Sequence, residues 1–270
     1  MHFFSTFFLG LWLLLAPVLK AQNQAPSRVI TTSPTMTELV FQLGFASHLI
    51  AVSDFSNYPE PAKYLPRVGT FFLPNLEKIL SFAPDLVLID ASSTPAQMVH
   101  QLNHLKINYK SFSIHSVDDL FEKSQELSKN IFYQESSVFL NQEKKDFWKI
   151  KTQYQKPFTF LVTAWFSPLT LVGHSSFLSD LISHFGGKNL LRQEIRNPYP
   201  QVSIEWFIKN PPEFLFVLTD NDSQLTQAQK FVTQWWKNRR VKVIPLHSDY
   251  FGRATFTALR ELPKILGELP

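Results

Sequence analysis

The chain has 270 residues, close to the length at which one hydrophobic core divides in two, and its 44% apolar and 18% charged content suits packed cores rather than disorder. Its 26 basic and 22 acidic residues are spread along the chain for a net charge of +4, without a basic run or an RNA-type aromatic motif, which argues against nucleic-acid binding. The absence of cysteine removes disulfides, thiolate metal sites, cysteine nucleophiles and any lipid-modified cysteine.

Residues 3–19 are an almost unbroken run of Phe, Leu and Trp, too short for a comfortable membrane span, followed by Lys20 and Ala21. The run predicts a cleavable export signal over residues 1–21, and with no cysteine behind it, a mature protein without a lipid anchor. Residues 28–33 then predict a strand, and residues 35–43 a helix stopped by Gly44. Strands follow at 49–52, 86–89 and 109–112, with helices at 76–82, 95–105 and from 117 onward. This alternation predicts a parallel α/β sheet. From 117 to about 155 there is no Gly or Pro, and the composition suits one long helix or two nearly collinear ones.

After Pro157 the pattern restarts, with strands at 159–163, 214–218 and 242–244 and helices at 177–185, 204–209, 225–236 and 255–266. The expected organisation is an N-terminal lobe over 22–115, a connecting helical region over 116–156 and a C-terminal lobe over 157–270. An internal echo supports it: Asn75-Leu-Glu-Lys-Ile-Leu-Ser-Phe-Ala-Pro-Asp-Leu-Val-Leu-Ile89 lies over Ser203-Ile-Glu-Trp-Phe-Ile-Lys-Asn-Pro-Pro-Glu-Phe-Leu-Phe-Val217 at a constant offset of 128. In each copy a capping residue, Asn75 or Ser203, precedes an acid, Glu77 or Glu205, in the first turn of a helix that ends before Pro84 or Pro212. A second echo pairs Thr37–Gly44 with Ser179–Gly186 at an offset of 142. The fold class is therefore α/β, two similar lobes with a cleft at the carboxyl ends of their sheets, where such sheets bind ligands.

The segments expected at strand ends are rich in aromatics: Phe55, Tyr58, Phe71, Phe72, Trp165, Phe166, Tyr199, Tyr250 and Phe251. A large, flat, apolar ligand accounts for them, although a chain with 26 Phe also needs many rings for its cores. Asp249 and Arg253 could read polar groups on such a ligand, or cap and pair with each other. Glu77 and Glu205 could serve their helix dipoles, or dock a partner of matching symmetry. His100 and His104 have the i, i+4 spacing of a metal pair, but no third ligand joins them in sequence, and no metal site is expected. There is no nucleophile elbow, P-loop or dinucleotide glycine pattern, so an enzyme is the weaker class.

Arg28-Val-Ile, Ser33-Pro-Thr-Met-Thr-Glu-Leu39, Tyr58-Pro, Leu65-Pro-Arg-Val-Gly69, Asn75-Leu-Glu77, Pro84-Asp-Leu-Val87, Pro200-Gln-Val-Ser203 and Ile244-Pro-Leu-His-Ser-Asp-Tyr-Phe251 with Arg253 resemble the periplasmic cobalamin-binding proteins of ABC importers, in the group whose lobes are joined by a rigid helix. The likeness covers nearly the whole chain behind the export signal. It implies a non-catalytic, monomeric receptor in the periplasm, with no cofactor beyond the carried ligand, that binds cobalamin or a related corrinoid between its lobes. It assigns ligand contact to Tyr58, Phe71, Tyr199, Asp249, Tyr250, Phe251 and Arg253, and docking on the permease dimer to Glu77 and Glu205. Where the family often has Trp, this chain has Phe71, Tyr199 and Tyr250. The rival expectation is haem or a ferric siderophore on the same fold; an anionic siderophore would call on Arg253 and on Arg192 or Arg196.

Overall fold

The computed structural model describes residues 24–151, 156–191, 197–237 and 239–268. The expected export signal, Arg192 and Arg196 lie outside them. The first lobe runs β1 (Val29–Thr31), α1 (Pro34–Gln42), β2 (Leu49–Ala51), α2 (Leu76–Ser81), β3 (Leu86–Asp90), α3 (Ala96–His104) and β4 (Tyr109–Phe112). Its sheet has the order β2-β1-β3-β4 and every pairing is parallel. A connector follows, α4 (Val117–Glu126) and α5 (Ser137–Lys151). The second lobe holds β5 (Phe158–Phe166), β6 (Leu169–Leu171), α6 (Phe177–Ser183), β7 (Gly187–Asn189), α7 (Ile204–Lys209), β8 (Phe214–Thr219), α8 (Asp222–Trp235), β9 (Lys242–His247) and α9 (Ser248–Phe251), and the chain ends in α10 (Phe256–Gly267). Its sheet has the order β6-β5-β8-β9. One side of β5 is shared by β7, which is parallel, and β6, which is antiparallel.

Parallel strands are buried on both faces, and the alternation of side chains assigns each strand residue to one layer. In β3, Leu86 and Leu88 join the inner core while Val87 and Ile89 pack outward with Ile79 of α2 and Met98 and Leu102 of α3. In β8, Phe216 faces inward, and Leu215 and Val217 pack with Phe207 of α7 and Ala228 of α8. Burying each such side chain contributes about 1.5–3 kcal/mol. The expected helices over the 128-residue echo are α2 and α7, capped by Asn75 and Ser203, whose side chains accept from the N–H groups of Lys78 (2.9 Å) and Trp206 (3.2 Å).

Two features differ from the sequence reading. Residues 117–155 do not form one helix: Leu127–Ile131 widen into a π turn, Tyr133 adopts a left-handed φ of 51°, and the Gln134 N–H closes on the Ser128 carbonyl at 3.0 Å before α5 begins. Good helix formers without Gly or Pro do not prevent this. The Ser128 hydroxyl bonds back to the Ser124 carbonyl at 2.9 Å, an interaction that competes with the helical ladder. As a result α4 and α5 pack against each other.

The second difference is α10, expected as part of the C-terminal lobe, which packs on the connector and bonds to α1. Phe256 meets Phe121 of α4 and Phe139 of α5 edge-on at 5.5 and 5.2 Å, and Arg260 pairs with Glu143 of α5. The inner core is consequently continuous from one lobe to the other. Two carboxylates at equivalent places in the 142-residue echo reinforce the junction. Glu38 of α1, fully buried, accepts from the hydroxyls of Thr255 (2.8 Å) and Thr257, and Asp180 of α6 accepts from the Val117 N–H at the start of α4 (2.8 Å).

Candidate functional site

α1 begins past the carboxyl end of the inner strand β1 and α6 past the edge strand β6, and their caps, Ser33 and Ser176, accept from the N–H groups of Met36 and Ser179, both at 3.2 Å. Facing each other, these two helix starts form the floor of a cavity of about 730 Å³ between the lobes, within the usual size of a small-molecule site. On the first-lobe wall, Phe55, Phe71 and Phe72 form a cluster, with ring centroids 5.8 Å apart for Phe55–Phe71 and 5.1 Å for Phe71–Phe72. On the opposite wall Trp165 at the end of β5 lies 6.2 Å from Tyr199. Phe55, Phe72, Trp165 and Tyr199 are 45%, 54%, 53% and 44% exposed, so these rings are not core filling.

Gly69 sets the approach to the first wall. It takes a left-handed φ of 97°, and a side chain there would lie 2.7 Å from the Asn75 backbone nitrogen and 2.8 Å from the Leu73 carbonyl. The Asp54 carboxylate accepts its N–H at 3.1 Å. The turn between Gly69 and the cap of α2 carries Phe71 and Phe72.

Polar groups ring the aromatics. Asp90, at the end of β3, accepts from the Ser92 N–H (2.9 Å) and hydroxyl (2.5 Å), and burial in the narrow cleft pushes its carboxyl above the ordinary range. The surrounding cleft also raises the Tyr199 phenol by desolvation, and the charge of Asp90 adds to the effect. Just past β8, Asp220 accepts from the Ser248 hydroxyl. Arg253 is only 8% exposed, donates to Asp249 at 2.7 Å and to the Phe55 carbonyl at 3.3 Å, and lies 3.5 Å from Glu38. Its Nη1 and the Glu38 Oε2 have no hydrogen-bond partner among the described residues. Burial pushes the Glu38 carboxyl up, against the bonds from Thr257 and Thr255 and the charge of Arg253.

Of the expected ligand contacts, Phe71, Tyr199, Asp249, Phe251 and Arg253 line the cavity, Phe251 as a buried residue. Tyr58 and Tyr250 do not. They pack edge-on against each other at 5.9 Å, and Tyr250 lies 5.2 Å from His247. The Asp249–Arg253 pair that the sequence left open is formed, and Arg253 also serves the lobe junction. Phe55, Phe72 and Trp165, noted in sequence only as strand-end aromatics, are brought into the cleft. Asp90 and Asp220 were missed; the signal for them is an acid closing an apolar run. Glu77 and Glu205 are exposed on the first turns of α2 and α7, and the Glu205 carboxyl is held below its ordinary range by its own N–H and the Ser203 hydroxyl. His100 and His104 are exposed on α3, and no group of three metal-ligating side chains occurs among the described residues. His174 meets the Leu191 carbonyl at 2.7 Å.

A profile of the periplasmic binding protein family matches residues 29–235. The chain belongs to that family. Over 267 residues this binding protein is 31% identical to the vitamin B12-binding protein of Yersinia pestis (strain Pestoides F), a match covering 95% of this chain and 92% of that one. Among solved structures it is similar to the periplasmic vitamin B12 binding protein BtuF of Vibrio cholerae, with a TM-score of 0.76 and 23% identity over 90% of this chain and 96% of that chain. It is also similar to the periplasmic heme-binding protein RhuT of Roseiflexus sp. RS-1, with a TM-score of 0.73 and 20% identity over 88% of this chain and 97% of that chain. The two-lobed α/β architecture is thus that of solute-binding proteins.

Proposed function

We propose that this protein captures cobalamin or a related corrinoid in the interlobe cleft, in the periplasm, and hands it to the permease of an ABC importer without chemical change. The observation that carries the proposal is the pair of aromatic walls, Phe55, Phe71 and Phe72 against Trp165 and Tyr199, facing each other across about 730 Å³. Opposed rings suit a broad, flat macrocycle, which they hold by area and edge contacts rather than by charge. The 31% identity with a vitamin B12-binding protein along 95% of the chain supports the choice of macrocycle. Asp249, Phe251 and Arg253 complete one end of the site, while Tyr58 and Tyr250 brace it from behind.

Glu77 and Glu205 stand at equivalent, exposed places on the two lobes and dock on basic groups of a two-fold permease, where such rim charges set orientation and on-rate. A haem reading competes, favoured by the likeness to heme-binding structures. Equilibrium titration of the processed protein with cyanocobalamin, cobinamide and haem decides between them. Saturable binding of the corrinoids at micromolar or lower concentration is expected, and absence of binding by either corrinoid overturns the proposal.

A further inference from the structure

The acids of the cleft do more than decorate it. Asp90 and Asp220 stand at the carboxyl ends of β3 and β8, the strands related by the 128-residue echo, and line opposite walls of the cavity. Each carboxylate is anchored the same way, a serine hydroxyl donating to its Oδ1: Ser92 for Asp90 and Ser248 for Asp220. No donor among the described residues meets either Oδ2. Asp90 is the more telling of the two, because it is half-buried in the cleft whereas Asp220 is exposed.

The single guanidinium among the described lining residues does not offset them. Arg253 is already shared between Asp249 and Glu38, and no lysine lines the cavity among those residues. His115, on the same side as Asp90, is the remaining basic group.

We propose that Asp90 and Asp220 are specificity-determining residues that make the cleft accept macrocycles whose rim carries neutral hydrogen-bond donors, carboxamides above all, and reject macrocycles whose rim carries carboxylates. The two open oxygens accept N–H groups from opposite edges of one ligand. A carboxylate rim brings like charge to both walls and supplies no donor, so the site's polar groups stay unpaired. A site that accepts hydrogen bonds from its ligand rejects an analogue lacking the donors more strongly than shape alone can. This inference rests on the corrinoid reading and states which part of the ligand is read.

The test is a set of titrations on the processed protein and on Asp90→Asn, Asp220→Asn and the double variant, with cobinamide and with a corrinoid whose side-chain amides have been hydrolysed to carboxylates. The wild type is expected to prefer the amide form at least tenfold, and the double variant to lose at least tenfold of that preference, with each single variant between. Equal wild-type affinity for the two forms overturns the proposal, as does a preference unchanged in the double variant. The second result would assign the selection to other groups of the cleft. If neither corrinoid binds, the corrinoid reading has failed, and the same variants are titrated with haem and with its dimethyl ester. Preference for the ester, lost in the double variant, supports the charge rule alone. Preference for free propionates, or binding of neither, overturns it.

Discussion

Gly69→Ala should damage both the fold and the ligand site, and Gly44→Ala only the fold. Both glycines are left-handed, with φ of 97° and 86°, so either alanine takes on strain of about 1–2 kcal/mol, offset by about 0.4–1 kcal/mol from the stiffer unfolded chain. At Gly44, where nothing lies within 4 Å of the new Cβ, that balance is the whole effect, about 0.5–1 kcal/mol. At Gly69 the methyl meets two backbone atoms at 2.7 and 2.8 Å, which cannot turn aside as a side chain would. The turn must shift, taking Phe71, Phe72 and the cap of α2 with it, and the loss rises to about 2–4 kcal/mol. Urea unfolding with a common m-value measures the first quantity, and cyanocobalamin titration the second. Affinity should fall about tenfold in Gly69→Ala, the equivalent of about 1.4 kcal/mol, and less than twofold in Gly44→Ala. Equal losses of stability in the two variants, or an unshifted affinity in Gly69→Ala, would refute the reasoning.

Further outcomes follow from the same geometry. Phe71→Ala, Trp165→Ala and Tyr199→Ala should each weaken corrinoid binding about tenfold, whereas Tyr58→Ala, outside the cavity, should cost less than about threefold; calorimetric titration ranks them. Glu77→Lys combined with Glu205→Lys should cut transport in reconstituted vesicles by about tenfold or more with ligand affinity within about twofold, and a parallel loss of affinity would contradict the docking role. The folded protein holds the Glu38 proton to higher pH than the unfolded chain does. Its contribution to stability is therefore full below the ordinary carboxyl value of 4.5 and is lost as pH rises through the folded value. Glu38→Gln should flatten the stability profile in that window, and urea midpoints between about pH 4 and 7 with an unchanged slope would contradict this.

Most of the strand and helix order was legible because both sheets are parallel and buried on two faces, which writes short apolar runs between amphipathic helices. The echo of α2–β3 in α7–β8 held to within one residue, since both copies place a capping side chain, Asn75 or Ser203, and a proline after the helix at the same positions. β6, β7 and α9 were not legible. Each is three or four residues long, and Gly187-Lys-Asn189 pairs with β5 for reasons of tertiary placement alone. β9 runs through Pro245 to His247, beyond the 244 read from sequence, because it lies at the sheet edge, where a missing N–H is tolerated. In the site, aromatics at strand ends pointed to the cleft, but nothing local distinguishes Phe72, which lines it, from Tyr58, which does not. The double duty of Arg253 was invisible for a plainer reason: Glu38, its distant partner, is more than two hundred positions away and looks in sequence like one more acid on a helix.

The return of α10 onto the connector and α1 has a consequence for how the molecule comes into being. A chain made from its amino end can usually finish an early domain before the rest emerges. Here Phe256 fills the space between Phe121 and Phe139, and Thr255 and Thr257 satisfy the buried acid of α1. The oldest part of the chain thus waits, incompletely sealed, for the youngest. Sealing the acid of α1 and the space between Phe121 and Phe139 therefore belongs to the last steps of folding, after α10 is available.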